Sequence, residues 1–99
     1  MSYITEICIY GLDIKEPMEQ VNAWIAGNNI TGEIAPVNME NHHSGNRGFS
    51  MELFGGGFNY FPVDDFINFV KTVNFGMFSD QTVVMLTTET DPTIVLQFD

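Results

Sequence analysis

The chain has 99 residues, 44% of them hydrophobic, and thirteen carboxylates against three Lys and Arg give a formal net charge of -10. This length and apolar content exclude a disordered chain and predict one α+β domain over residues 1–99. A field of this sign repels phosphate backbones and anionic lipids, which argues against nucleic acid and membrane ligands and favours a basic protein partner. The alternative is that the charge serves solubility alone.

Cysteine usage and the N-terminal residues bear on the compartment. Cys8 is the only cysteine, so no internal disulfide can form. The opening residues, MSYITEICIYG, lack the basic residues and apolar run of a signal peptide, and no stretch approaches the ~20 apolar residues of a membrane span. We therefore expect a soluble cytoplasmic protein in which Cys8 is a small buried apolar side chain rather than a reactive thiol.

The first elements are a strand and a helix. Residues 3–10 place apolar groups on both faces, which predicts a central strand. Asp13 with Glu16 three residues later resembles a helix N-cap and its box partner, and Gly27 is typical of a helix end. An apolar stripe at helical spacing connects them. The stripe consists of Ile14, Met18, Val21 and Ile25.

The stretch over residues 30–48 has no periodicity and is rich in Gly, Asn and His. A short strand over residues 33–37 is possible, but Pro36 would confine it to a sheet edge. Because irregular stretches of this length are often functional in a small domain, this is the first place to look for a binding surface.

Six of the nine phenylalanines lie within residues 49–73, so this stretch is expected to build much of the core. Residues 49–54 alternate like a half-buried strand, and residues 58–61 read as its partner. The three glycines at 55–57 between them predict a hairpin turn. A second helix is expected to begin around Pro62, where Asp64 and Asp65 favour the positive end of the helix dipole.

The last third predicts an apolar connection and a second hairpin. Phe75, Met77 and Phe78 are expected to join the core. Residues 81–89 and 93–98 read as paired strands, with Pro92 opening the last one. The whole order predicts a two-layer α+β sandwich of ferredoxin-like βαββαβ order with an extra C-terminal strand, in which two helices cover a mostly antiparallel sheet.

The predicted topology sorts the charged residues into two ends, because opposite directions for the first and third strands make the helices begin at opposite ends. One end gathers Asp13, Glu16, the glycine turn and Asp80. The other lies beside the irregular stretch and is the predicted partner-binding surface. Its members are Glu33, Glu40, His42, His43, Arg47, Asp64, Asp65, Glu89 and Asp91.

Catalytic and metal chemistry have weak support. His42 and His43 beside Glu40 suggest a metal site, but adjacent histidines in an extended segment point apart, and exposed loop histidines are the preferred interpretation. Helix-start positions already explain Asp64 and Asp65 without acid and base roles. The glycines lack phosphate-binding spacing, and no nucleophile elbow occurs. We expect no cofactor, no bound metal and no enzyme.

The leading hypothesis is an inhibitor that binds a basic protein, such as a nuclease toxin, as a monomer or homodimer. The size, acidity, single cysteine and absent catalytic motif resemble bacterial toxin-immunity proteins in kind, and no residue role is taken from them. Alternatives are a homo-oligomeric assembly subunit, a phage-type inhibitor that mimics nucleic acid, and a dimer with a ligand pocket between subunits. Such a pocket would draw on Tyr10, Trp24, His42 and His43.

Overall fold

Five strands form one sheet within residues 3–37 and 51–98, the parts of the chain that the computed structural model describes. Each neighbouring pair is antiparallel, and the strand order is β2-β3-β1-β4-β5. The predicted α+β class with a mostly antiparallel sheet is confirmed. The elements are β1 (Ile4–Gly11), α1 (Lys15–Gly27), β2 (Ala35–Pro36), β3 (Glu52–Asn59), α2 (Val63–Val70), a 3₁₀ helix (Gly76–Gln81), β4 (Val83–Thr88) and β5 (Ile94–Gln97).

The middle strand is β1, which pairs with β3 on one side and β4 on the other. Strands β1 and β2 run in one direction with β3 between them, and β3 and β4 run in the other with β1 between them. The register joins Ile4 to Asn59 at one end of the sheet and Gly11 to Glu52 at the other. Since α1 follows Gly11 and α2 follows Asn59, the two helices begin at opposite ends.

The predicted hairpin at the three glycines is wrong, because β3 runs straight through them. Residues 55–57 pair with residues 6–8 of β1 and are neighbours in a single extended strand. The second strand of the chain is instead the short β2, whose edge position was predicted from Pro36 and is confirmed. The predicted C-terminal hairpin of β4 and β5 is also confirmed.

Gly56, the middle one of the three glycines, lies where another segment of backbone passes close to β3. A Cβ on Gly56 would lie 2.8 Å from the carbonyl oxygen of Glu33 and 3.2 Å from the ring of Phe58. Two hydrogen bonds from α1 hold this crossing segment, because Asn22 Nδ2 donates to the Ile34 carbonyl at 3.0 Å and the Ile34 amide donates to Asn22 Oδ1 at 2.8 Å. Ile34 is thereby buried in the core. Because Gly56 has no side chain, it leaves room for the neighbouring backbone, and it does not form a turn.

Both helices pack on the same face of the sheet. Trp24 of α1 stacks on Phe69 of α2 with ring centroids 5.2 Å apart, and Phe66 meets the same indole edge-on at 5.6 Å. The connection after α2 was predicted to be core, but only Phe75 is buried, and Met77 is 88% exposed. The buried apolar residues are Ile7, Ile9, Ile14, Met18, Val21, Ile25, Ile34, Phe54, Phe58, Phe61, Phe66, Val70, Val73, Phe75, Val84 and Leu86.

The predicted capping box at the start of α1 is wrong. Ile14 is the N-cap residue, and Asp13 has a left-handed backbone with φ of 56°. The carboxylate that accepts the Ile14 amide belongs to Glu52, at 2.8 Å. Because Gly11 pairs with Glu52 in the sheet, β3 delivers this acceptor to the helix start from a distant part of the sequence.

The second face of the sheet carries no helix among the described elements, and we call it the open face. Alternation along each strand assigns its side chains, since their neighbours on the same strand point into the core. Its members are Ile4, Glu6, Cys8, Tyr10, Ala35, Val37, Leu53, Gly55, Gly57, Asn59, Val83, Met85, Thr87, Val95 and Gln97.

The role of the central glycine predicts that Gly56→Ala lowers the free energy of unfolding by about 2 kcal/mol, because the new methyl group meets a fixed backbone oxygen. Gly57→Ala is the matched control, since a Cβ there has no described atom within 4 Å. Chemical denaturation of both variants measures the difference. Equal stability of the two variants would contradict the close approach.

The hydroxyl of Thr5 generates a second prediction. Thr5 is 0% exposed, and its Oγ1 has no hydrogen-bond partner among the described residues. Thr5→Val is expected to raise the free energy of unfolding by about 1 kcal/mol, because it removes a buried unpaired polar group at constant shape. Thr82→Val is the comparison, since that buried hydroxyl donates to the Phe78 carbonyl at 3.4 Å and its loss brings no gain. A destabilised Thr5→Val protein would contradict this.

Candidate partner-binding site

Four exposed carboxylates lie at one end of the sheet, where β1 begins and β3 and β4 end. Two of them occupy the first turn of α2, and the other two directly follow β4. We call this group the acidic end. Its members are Asp64, Asp65, Glu89 and Asp91.

The turn after β4 is fastened to the start of β1. The Ile4 amide donates to Glu89 Oε1 at 2.7 Å, and the hydroxyl groups of Tyr3 and Thr90 are 2.8 Å apart. These bonds link two segments that are far apart in sequence and fix the backbone that carries Asp91. A partner that binds here therefore meets carboxylates whose main chain is already ordered, which reduces the entropy lost on binding.

An exposed aromatic residue stands between β3 and α2. Tyr60 is 67% exposed, and its amide donates to the Tyr3 carbonyl at 2.8 Å. Its φ of 52° is uncommon for a residue with a Cβ. A hollow of about 720 Å³ beside it is lined by the amide side chains of Asn28, Asn29 and Asn59, among others. Tyrosine is one of the residue types enriched at protein interfaces and at the positions that contribute most to binding.

The two described lysines lie away from the acidic end. Lys15 begins α1, beyond the opposite end of β1, and Lys71 follows the last residue of α2. Residues 74–78, which follow α2 by a few residues, share a hollow with Asp13 and Glu16, so the chain after α2 lies beside the start of α1. Within the described residues, the acidic end thus has four carboxylates and no lysine or arginine beside it.

Of the remaining residues of the predicted partner surface, Glu33 is the one that the structure describes, and it does not lie at this end. Glu33 lines a groove of about 430 Å³ between α1 and β2, together with Lys15 and Glu19. Glu40, His42, His43 and Arg47 lie outside the described residues. Over residues 3–37 and 51–98, no three His, Cys, Asp or Glu side chains are grouped so that they could hold a metal ion.

Two of the residues proposed to line a ligand pocket, Tyr10 and Trp24, lie in different parts of the structure. Trp24 packs against the phenylalanines of α2, and Tyr10 lies on the open face. Cys8 was expected to be buried but is only half-buried, because it also belongs to the open face. Burial raises the pKa of the Cys8 thiol, so the neutral thiol predominates at neutral pH and the side chain is a poor nucleophile.

Tyr60 could not be predicted from the sequence as a site residue, because no residue type marks a positive φ at a position other than glycine. The roles of Glu52 and Glu89 as acceptors for backbone amides could not be predicted either, since each carboxylate binds an amide more than thirty residues away in the sequence.

Comparison with known proteins adds no relative: no protein-family model, no curated protein and no solved structure matches this chain. Among the helices of the described segments, none combines the length and apolar character needed to cross a membrane.

The positive φ at Tyr60 predicts that a glycine substitution at this position gives a more stable protein than an alanine substitution. Tyr60→Gly and Tyr60→Ala both remove the side chain, but only glycine adopts a φ of 52° without strain. The glycine variant is expected to be more stable by about 1 kcal/mol, the reverse of the usual order in extended segments. Urea denaturation measures both. An alanine variant of equal or greater stability would show that the left-handed conformation is not held in solution.

Proposed function

We propose that this chain is a small acidic inhibitor that binds a basic protein, of the kind represented by toxin-immunity proteins, and that it docks through the acidic end. A nuclease toxin is the partner class that this charge fits best, since such an enzyme must itself attract phosphate. The observation that carries the proposal is an uneven distribution of charge: four exposed carboxylates converge at one end with no described lysine beside them, whereas both described lysines lie toward the other end, which also carries exposed carboxylates.

Three features support binding at this end. Complementary charge accelerates encounter, to about 10⁸ to 10⁹ M⁻¹s⁻¹ for the best-steered protein pairs. The turn that carries Glu89 and Asp91 is held by hydrogen bonds to the start of β1, so little ordering is needed on binding. Tyr60 supplies an exposed aromatic side chain of the type that contributes strongly to interfaces. Inhibition of this kind requires occlusion of the partner and no catalytic group on this chain.

As part of the same proposal, we interpret the fold as ferredoxin-like, extended by β5 at one edge, and the working compartment as the cytoplasm. The interleaving of β1-α1-β2 with β3-α2-β4 in the order β2-β3-β1-β4 supports the first interpretation. The single unpaired cysteine supports the second.

The test is a comparison of two variants with the same net charge. Asp64→Asn, Asp65→Asn and Asp91→Asn together neutralise the acidic end but leave the Glu89 anchor in place. Glu16→Gln, Glu19→Gln and Asp80→Asn together are the matched control elsewhere on the molecule. Each immobilised chain is used to capture partners from the cells that encode it, and association rates are then measured with the captured protein.

We expect the wild type and the control to capture the same basic protein, and the acidic-end variant to associate with it at least about tenfold more slowly at low salt. Wild-type binding should also weaken as salt rises. Equal association rates for the two variants would remove the acidic end as the docking surface. A captured partner without basic character, or retention that does not change with salt, would contradict the proposed partner class.

A further inference from the structure

Side chains on the open face differ in size from one edge of the sheet to the other. The pairing register places one row across all the strands, through the middle of the face. In sheet order from β5 to β2, this row is Val95, Met85, Cys8, Gly55 and Ala35. In this row, large side chains therefore stand on the β5 side and small residues on the β2 side, where the Val37 side chain borders the row, 3.7 Å from the position of a Cβ on Gly55.

We propose that the open face binds the open face of a second copy of this chain, about a twofold axis that runs along β1. Such an axis keeps each row but exchanges its two sides. Met85 of one copy then faces Gly55 of the other, and Val95 faces Ala35. A hollow of about 320 Å³ receives the partner side chains, and it is lined by Gly55, Gly57 and Cys8 together with Glu6, Met85 and Thr87. Size complementarity of this kind is what close-packed interfaces require.

The adjacent row fits the same axis. It contains Tyr10 on β1, with Leu53 and Val83 on either side. The twofold operation sets Val83 against Leu53 and brings the two Tyr10 rings together at the centre. A twofold axis perpendicular to the strands would instead place Met85 on Met85 and leave Gly55 opposite Gly55, which combines a clash with a void. In the row through Cys8, the distribution of sizes thus favours the axis along β1.

The open face has the area and the composition for such contact. Strands about 4.8 Å apart and up to about 26 Å long give a face of about 500 Å² per copy, or about 1,000 Å² in total. That value is the lower limit for specific interfaces, so the expected dimer is reversible. Val95 is 53% exposed and Ile4 is 39% exposed, which is unusual for the solvent side of a sheet with polar alternation.

One charged residue gives the pairing a diagnostic signature. Among the strand residues that the structure describes, Glu6 is the only ionisable acid or base on the open face besides Cys8 and Tyr10, and it lies on β1, the strand that the axis follows. Its two copies therefore face each other in the dimer, and like charges directly opposite are unfavourable. A copy that carries lysine at this position relieves that repulsion only when it pairs with a wild-type copy.

The first experiment is sedimentation equilibrium of the full chain, of Glu6→Lys, and of their equimolar mixture. The mixed dimer is expected to be about tenfold tighter than either homodimer. Glu19→Lys mixed with wild type is the control, since Glu19 lies on α1 on the covered side and the net charges are identical. A Glu6→Lys mixture no tighter than the Glu19→Lys mixture would overturn the twofold pairing. A wild-type chain that stays monomeric up to about 1 mM would also overturn it.

The second experiment places the contact on the open face. Stacked sheets are about 10 Å apart, so a bis-maleimide with a spacer of that length should join Cys8 to Cys8. Gly55→Val fills the receiving space and is expected to weaken the dimer about tenfold or more. A Cβ at Gly55 would lie 3.6 Å from the Ile7 carbonyl oxygen and 3.7 Å from the Val37 side chain, both ordinary contact distances, so we expect the monomer to keep its fold, which its denaturation curve checks.

Adding Met85→Ala to Gly55→Val shortens the side chain that faces the new valine, so the double variant should regain both the dimer and the cross-link. No cross-link in a dimeric wild type would overturn the proposed face, and so would unchanged pairing of Gly55→Val. This surface excludes the acidic end, so failure of the dimer and failure of partner binding are separate results.

Discussion

Pairing of β1 with the glycine-rich strand β3 is the constraint on which the rest of the structure depends. Full-length pairing requires β3 to pass through residues 55–57 as one extended strand. It brings Glu52 to the start of α1 and carries the chain to the opposite end before α2 begins. Gly56 on the covered face gives the Glu33 carbonyl room to pass, which lets Ile34 enter the core. Gly55 and Gly57 leave a depression on the open face.

Much of the architecture follows from periodicity in the sequence, because burial of apolar side chains decides it locally. The apolar stripe from Ile14 to Ile25 identified α1, and two runs rich in Val, Ile, Leu and Thr identified β4 and β5, which together gave the class of the fold. The glycines at 55–57 failed as a guide, since an apolar run on each side of glycine is typical both of a hairpin and of a strand approached closely by other backbone. Asn22, a polar residue on the buried side of α1, was the available signal for that approach.

The candidate site was less predictable than the fold because its groups meet across long sequence separations. Asp64 and Asp65 could be placed at a helix start from local chemistry. The bond between Glu89 and the Ile4 amide joins residues at opposite ends of the chain, and no pattern within a short window contains it. The same holds for Glu52, whose alternation in a strand gave no sign of a capping role. Carboxylates in this protein therefore divide between structural acceptors and free surface charge, although their residue type is identical.

The two proposed surfaces are physically linked, because the axis along β1 keeps the acidic ends of both copies at the same end of the dimer. With a formal net charge of -10 on each chain, this arrangement is opposed by repulsion, which salt screens over a Debye length of about 8 to 10 Å. Salt therefore favours pairing of the open faces and weakens attraction of a basic partner. A basic protein bound across the acidic ends would offset the same repulsion at low salt. Since linkage is reciprocal, such a partner would strengthen the dimer by the factor by which dimerisation strengthens its own binding.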